Sequence, residues 1–85
     1  MIFRQLFDSS SSTYTYLIAD HNSREAVIID PVFEQTIRDL ALIRELDLKL
    51  VYTVDTHCHA DHVTGAWILK EKTGCQISAS KKIGA

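Results

Sequence analysis

A dense group of potential metal ligands lies in the run from Thr56 to His62, which reads THCHADH. Three of the four histidines in the chain fall within it, together with one carboxylate. Imidazole is the commonest side-chain ligand of transition metals, and carboxylate oxygens complete such sites. The run predicts a metal or proton-transfer site. The candidate metal ligands are His57, His59, Asp61 and His62, and the candidate catalytic residues are Asp61 and His62.

The spacing limits how these groups can share an ion. In an extended segment, residues two apart project to the same side, so His57 and His59 can face one ion while Cys58 points away. Asp61 and His62 follow where the chain turns into a helix. The loop is too short for all four groups to converge on one ion. The spacing fits two adjacent ions, or one ion with the remaining groups orienting water, and a complete catalytic site needs ligands from elsewhere.

Each of these residues also has a structural explanation. Asp61 is a good N-cap for a helix that begins near Val63, and His62 would then be a first-turn residue. His57 or His59 alone would more often be a polar residue at the end of a strand. All of these explanations must hold at once within six positions, so the joint pattern favours the metal site.

A strand and a helix are predicted to position the cluster. An apolar, β-branched strand over Leu48–Val54 leads into it, and a helix over Val63–Lys72 follows, so the cluster occupies a strand-to-helix loop. Glu25–Asp30 holds an unbroken apolar run, as in a strand covered on both faces. It ends at Asp30, whose carboxylate could support a nearby site, although the residues alone favour a capping or turn role.

The other elements follow from the same patterns. Strands are predicted over Ile2–Phe7, Thr13–Ala19 and Cys75–Ala79, with a solvated serine turn after the first. Gly74 is placed to end the second helix. A further helix is expected to open at Ser80. This order of strands and helices predicts an α/β layered sheet, with residues 1–85 as a single partial domain.

The first helix is predicted over Phe33–Leu46. Its apolar positions Phe33, Ile37, Leu40 and Ala41 fall at helical spacing and are expected to pack on the sheet. Glu34 and Arg38 are expected to form an exposed i,i+4 ion pair, which stabilises the helix by a few tenths of a kcal/mol, roughly.

Composition restricts the class of protein. The 85 residues are 46% hydrophobic with a formal net charge of −2, which argues against disorder and gives no basic footprint for nucleic acid. No apolar run approaches the roughly 20 residues that span a bilayer, and the first residues show no targeting pattern. A cytoplasmic protein without a membrane or nucleic-acid partner is expected. Cys58 and Cys75 are expected to be reduced thiols.

The motif His57-x-His59-x-Asp61-His62, between a buried strand and a helix, resembles the signature of the metallo-β-lactamase superfamily. Asp30 also matches the acidic residue that this superfamily carries near its site. Within the superfamily, the likeness is greater to the persulfide dioxygenases than to the glyoxalase II hydrolases. The matching runs are Phe3 to Phe7, Thr13 to Leu17, Ser23 to Pro31 and Thr56 to Gly65.

The resemblance implies the N-terminal part of an αββα sandwich, in which helices pack on one face of a mixed sheet. It also implies a mononuclear non-haem iron(II) enzyme that oxidises glutathione persulfide to sulfite with molecular oxygen. In that family the iron is held by the first motif histidine, here His57, together with a later histidine and a later aspartate. His59, Asp61 and His62 would line the site and hold metal-bound water, whereas in dinuclear zinc relatives they bind metal directly.

Other functions remain open from the sequence. The first is a glyoxalase II-like thioester hydrolase with two zinc ions, and a more distant one is an amidohydrolase, against which the Asp61-His62 pair argues. A third is a truncated chain that binds zinc or nickel weakly. We expect negligible dioxygenase activity from these 85 residues alone. An uncovered sheet face would favour association, with a homodimer as one outcome.

Overall fold

A computed structural model describes residues 1–56 and 65–79 of the chain. The strands are β1 (Ile2–Asp8), β2 (Thr13–Ala19), β3 (Glu25–Ile29), β4 (Lys49–Asp55) and β5 (Gln76–Ala79), and the helices are α1 (Thr36–Glu45) and α2 (Ala66–Thr73). The five predicted strands are confirmed, with ends displaced by one residue at most. Neither described helix is long and apolar enough to cross a membrane. The helix expected from Ser80 lies outside the described residues.

The strands form one mixed sheet in the order β1-β2-β3-β4-β5. β1, β2 and β3 are antiparallel neighbours, whereas β4 and β5 run parallel to β3. Parallel neighbours need a crossover, and α1 and α2 supply the two crossovers. Because only β2 runs in the opposite direction, the other four strands end at the same side of the sheet. We call this side, at Asp8, Ile29, Asp55 and Ala79, the carboxyl edge, and the opposite side the amino edge.

Both helices pack on one face of the sheet. Burial alternates along β2, where Thr15, Leu17 and Ala19 are buried and their neighbours are not. The core joins strand residues to side chains from α1 and α2: Leu17, Ala19, Ala26, Ile28, Leu50, Ile43, Leu69 and Cys75. Full burial of one such Leu or Ile side chain stabilises the fold by about 1.5–3 kcal/mol. The predicted α/β architecture, a mixed sheet with helices on one face, is confirmed.

The first helix differs from its prediction in where it begins and in the face it buries. Phe33–Gln35 form a 3-10 turn, and the α-helix starts at Thr36. Ile37 is 83% exposed, whereas Thr36, Asp39 and Ile43 are buried. Phe33 and Ala41 are exposed as well, so the predicted packing face was wrong at Phe33, Ile37 and Ala41, and only Leu40 is partly buried. Several apolar residues surround this helix, and tertiary contacts decide which of them are buried.

The predicted pair between Glu34 and Arg38 is also wrong. The Arg38 guanidinium lies 3.1 Å from the Asp39 carboxylate and donates a 3.1 Å hydrogen bond to the Phe7 carbonyl of β1. The next residue of the helix and a carbonyl of β1 have taken the place of Glu34. Arg38 therefore ties α1 to the end of β1.

The second helix begins at Ala66, three residues later than predicted, with Gly65 as its N-cap. The predicted N-cap, Asp61, lies outside the described residues. The predicted stop at Gly74 is confirmed: its φ of 76° is the left-handed conformation that glycine adopts without strain, and its N–H donates to the Lys70 carbonyl at 2.8 Å. Cys75 follows as a buried free thiol, as expected.

Candidate functional site

The four candidate ligands, His57, His59, Asp61 and His62, lie outside the described residues, so their arrangement stays a prediction. Cys58 lies there too. Within residues 1–56 and 65–79, no three histidine, cysteine, aspartate or glutamate side chains are grouped closely enough to hold a metal ion. The structure does give the chain on both sides of the cluster, at Thr56 after β4 and at Gly65 before α2.

Asp30 anchors the near side of the cluster. Its carboxylate accepts two hydrogen bonds from Thr56, one from the backbone N–H at 2.7 Å and one from the hydroxyl at 2.5 Å. Both oxygens are used, since Oδ1 takes the first and Oδ2 the second. Thr56 is the residue directly before His57, so this carboxylate fixes where the chain leaves β4.

Asp30 is itself held in place by its backbone. Its N–H donates to the Val54 carbonyl at 2.8 Å, and its own carbonyl accepts from the Thr15 hydroxyl at 2.8 Å. Its φ of 54° is left-handed, a conformation that aspartate tolerates better than most residues. The residue is 7% exposed. Burying a carboxylate is costly unless hydrogen bonds compensate, and hydrogen bonds to a charged acceptor are the strong ones.

Gly65 anchors the far side of the cluster. Its N–H donates to the Pro31 carbonyl at 2.9 Å. A Cβ at this position would lie 2.9 Å from the Thr36 methyl and 3.0 Å from the Val32 carbonyl oxygen. Only glycine therefore lets the start of α2 approach the segment before α1 this closely.

The two anchors are adjacent in the chain. Thr56 is held by Asp30, and Gly65 is held by Pro31. Both ends of the segment from 57 to 64 are thus tied to one dipeptide at the end of β3. The described residues therefore fix the two points from which the chain runs through the candidate ligands, at Thr56 and at Gly65.

Buried polar side chains gather on this side of the molecule. The buried polar and charged side chains of the described residues are Asp8, Thr15, Asp30, Thr36, Asp39 and Thr53. They lie at the ends of β1, β3 and β4, at the start of β2 and at the start of α1. Ligands of open α/β sheets bind beyond the carboxyl ends of the strands, and the candidate ligands follow the carboxyl end of β4.

Two of these acids sit in opposite electrostatic environments. Asp8 accepts hydrogen bonds from Ser11 and Gln35, and these bonds hold its pKa below the usual 3.8. Burial raises the pKa of Asp39 above that value, and the adjacent Arg38 guanidinium opposes the rise only in part. Asp39 Oδ2 has no hydrogen-bond partner among the described residues. The carboxyl edge therefore contains one stabilised and one destabilised carboxylate.

Sequence reasoning named Asp30 as possible support for a nearby site but did not predict the contacts by which Asp30 and Gly65 hold the segment. The pairing of Asp30 with Thr56 joins residues 26 positions apart, so only the parallel pairing of β3 with β4 brings them together. Gly65 was part of the matching run but had no role assigned. An Asp-Pro step ending a buried strand, and a glycine directly before a helix, were the available signals.

Comparisons with known proteins agree with this geometry. A family model described as the metallo-beta-lactamase superfamily matches residues 10–85. The chain belongs to the metallo-β-lactamase superfamily. Members are metal-using proteins, which fits a cluster of imidazoles and a carboxylate held from both sides.

Two relatives within the superfamily are especially similar. The mitochondrial persulfide dioxygenase ETHE1 of Mus musculus is 55% identical over 86 residues, covering 100% of this chain and 34% of the relative. The crystal structure of ETHE1 from Myxococcus xanthus is 60% identical with a TM-score of 0.86, covering 91% of this chain and 34% of that one. The chain thus spans about a third of the length of these relatives.

A hydrolase is also similar, at lower identity. The hydroxyacylglutathione hydrolase of Pelagibacter ubique is 32% identical over 77 residues, covering 91% of this chain and 31% of the relative. The expected likeness to both kinds of enzyme, with the persulfide dioxygenases ahead, is confirmed.

Proposed function

We propose that this chain is the N-terminal portion of an iron-dependent persulfide dioxygenase. The observation that carries the proposal is the 55% identity to such an enzyme across the whole chain. The complete enzyme would convert glutathione persulfide, dioxygen and water into glutathione, sulfite and two protons. The sulfane sulfur gives up four electrons, and dioxygen accepts them.

The chain's own residues would supply one side of the metal site. His57 would bind the metal directly, and His59, Asp61 and His62 would line the site and hold water. Imidazole and carboxylate are the donor set of non-haem iron(II) sites, in which open coordination positions allow oxygen chemistry. Asp30 would act through Thr56, and Gly65 through the Pro31 carbonyl, to set where the segment carrying these donors begins and ends.

The second candidate is a hydroxyacylglutathione-type hydrolase with two zinc ions. Its support is the 32% identity to the Pelagibacter ubique relative. In that case His59, Asp61 and His62 would bind metal rather than hold water. The two candidates differ in substrate, since one oxidises a persulfide and the other cleaves a thioester.

The activity is proposed for a longer protein than these 85 residues. A metal site with a later histidine and a later aspartate cannot be completed by this chain, so we expect no measurable oxygen uptake from it alone. A cytoplasmic location also remains a proposal, because the name of the Mus musculus relative places that protein in mitochondria.

A chimera tests the proposal. The 85 residues replace the matching segment of ETHE1 from Myxococcus xanthus, and the iron-loaded chimera is supplied with glutathione persulfide. Oxygen uptake with sulfite release is expected, and His57→Ala in the same chimera should abolish both. A folded chimera that instead cleaves an S-acyl glutathione thioester without taking up oxygen would support the hydrolase and contradict the dioxygenase.

A further inference from the structure

A buried threonine on β2 contacts the backbone that joins the two anchors, Asp30 and Pro31. Thr15 is 0% exposed, and its hydroxyl donates a 2.8 Å hydrogen bond to the Asp30 carbonyl. The register, which pairs Tyr16 with Ile29, places this threonine across from Asp30. Valine has nearly the same shape and also favours strands, so packing and strand propensity do not account for the hydroxyl.

The accepting carbonyl belongs to the peptide unit between Asp30 and Pro31. Proline has no N–H, so this carbonyl is the one hydrogen-bonding group that the peptide unit offers. On one side of the unit, the Asp30 carboxylate accepts from Thr56. On the other side, the Pro31 carbonyl accepts from the Gly65 N–H. The Thr15 hydroxyl therefore restrains the link on which both anchors depend.

The backbone at Asp30 adopts a conformation that needs such a restraint. Its φ of 54° is left-handed, and residues with a side chain keep this conformation only where the surrounding structure holds them in it. On the β4 side, the Asp30 N–H donates to the Val54 carbonyl at 2.8 Å. Thr15 holds the carbonyl from the β2 side. Removing its hydroxyl would remove the hydrogen bond from β2 at a strained position.

A second buried threonine provides a contrast. Thr53 on β4 is also 0% exposed, and its hydroxyl has no hydrogen-bond partner among the described residues. Thr53 pairs with Ile28, which pairs with Leu17, two positions along β2 from Thr15, so the two threonines lie on the same face of the sheet. They match in type, burial and face, and they differ in whether the hydroxyl holds a backbone group.

We infer that Thr15 is a positioning residue of the metal site, acting through the peptide unit between Asp30 and Pro31 on both anchors. The inference rests on the proposed metal-binding function of the segment from 57 to 64. Replacing a residue that orients metal ligands without touching the metal typically weakens metal affinity about 10- to 100-fold. Thr15 acts through Asp30 and Thr56, and Thr56 directly precedes His57, so the lower end of that range is expected.

Metal affinity of the chimera is the first test. The chimera of these 85 residues with ETHE1 from Myxococcus xanthus is freed of metal and titrated with Co²⁺, whose visible absorption reports binding and ligand geometry. Thr15→Val should raise the dissociation constant about tenfold and change the spectrum. Thr15→Ser keeps the hydroxyl and should bind as the wild-type chimera does. Thr53→Val, the matched control, removes a hydroxyl that holds no backbone group and should also bind normally.

Amide hydrogen exchange gives a readout that needs no metal. In the 85-residue chain, Thr15→Val should speed exchange of the Thr56 and Gly65 amides while the Lys49 amide at the amino edge stays protected. Thr15→Ser and Thr53→Val should leave all three amides as in the wild type. In the unmodified chain, the Thr15 hydroxyl proton should give a slowly exchanging NMR signal, because a buried, hydrogen-bonded proton is shielded from water.

The outcomes separate this inference from the proposed function. Wild-type Co²⁺ affinity or wild-type amide exchange in Thr15→Val would overturn the inference alone, as would an equal loss of affinity in Thr53→Val. A folded wild-type chimera that binds no Co²⁺ would contradict the proposed function and the inference with it. If Thr15→Val does not fold, the unmodified chain decides, since a Thr15 hydroxyl proton that exchanges rapidly would overturn the inference.

Discussion

The two edges of the sheet are built differently. At the amino edge, the short turns between β2 and β3 and between α1 and β4 are closed by backbone groups and one arginine. Arg24 donates to the carbonyls of His21, Leu46 and Asp47, and Lys49 N–H donates to the Arg24 carbonyl at 2.7 Å. The core beside this edge is apolar, with Ala19, Ala26 and Leu50 buried.

The carboxyl edge instead buries three carboxylates, Asp8, Asp30 and Asp39. Buried acids cost free energy unless they are well paired, and Asp39 is paired only in part. Asp8 and Asp30 are compensated by hydrogen bonds, whereas Asp39 is not fully compensated. The amino edge is thus held by turn hydrogen bonds and an apolar core. The carboxyl edge carries the buried polar groups, among them the one that binds the start of the segment with the candidate ligands.

The largest expected effect comes from removing the carboxylate that holds Thr56. Asp30→Ala should lower the free energy of unfolding by about 2–4 kcal/mol, because two hydrogen bonds to a buried charge are lost and their donors lose their acceptor. Urea unfolding measures this loss. The matched control at the amino edge is Asp20→Ala, which removes exposed hydrogen bonds from the backbone N–H groups of Asn22 and Ser23 and should cost clearly less, because water replaces the lost acceptor. Equal losses would contradict the contrast between the edges.

The two glycines of the described residues give the next test. Gly65→Ala should cost about 1–3 kcal/mol, because its methyl group would enter occupied space. Thr36→Ser removes the methyl that the new Cβ meets and should restore part of the loss. Gly74→Ala, at the amino edge, has open space around it and should cost only the strain of its positive φ, about 1 kcal/mol. Differential scanning calorimetry of Gly65→Ala, of Gly65→Ala combined with Thr36→Ser, and of Gly74→Ala provides the ranking, and a Gly65→Ala variant as stable as the wild type would contradict the close approach.

A smaller effect is expected from Arg24→Ala at the amino edge. The substitution removes hydrogen bonds to three carbonyls, but water can replace several of them, so about 1 kcal/mol should be lost. Urea unfolding measures the loss, and the exchange rates of the Thr56 and Gly65 amides should not change. Faster exchange at these two amides would show that the edges are not independent.

The smallest expected effect is the pH dependence of the free energy of unfolding that Asp8 and Asp39 cause. The folded pKa of Asp39 is raised, so its contribution to stability is lost as pH rises from 3.8 through the folded value. Asp8 has a lowered folded pKa, so its contribution is present above 3.8 and is lost as pH falls through the folded value. Urea unfolding of Asp39→Asn and Asp8→Asn across this range should show differences from the wild type with opposite slopes. Parallel slopes would be the contrary result.

These comparisons also show what the sequence could predict. Strands were found to within one residue, because alternation and β-branched runs are local signals. The helix over residues 36–45 was also found, but its buried face was not, since Arg38 pairs with β1 and Asp39 is buried beside it. Periodicity predicts which residues lie on the apolar side of a helix. Tertiary contacts determine which of these residues are buried.

The candidate site divides in the same way. His57, His59, Asp61 and His62 are predicted ligands from their type and spacing, which are properties of one short run, and they stay a prediction. Asp30 was named only as possible support, and its contact with Thr56 was not predicted, because the two residues meet only through the parallel pairing of β3 with β4. The sequence therefore predicts which residues bind metal, and the fold supplies the two anchors.

The central claim is that Asp30 and Pro31 together hold both ends of the segment from 57 to 64. Amide hydrogen exchange measured by NMR tests it directly. Protection is predicted at the Thr56 and Gly65 amides, and Asp30→Ala should lower it at least tenfold at both while leaving the Lys49 amide protected. Unprotected Thr56 and Gly65 amides in the wild-type chain, or a loss confined to Thr56, would contradict the shared anchor.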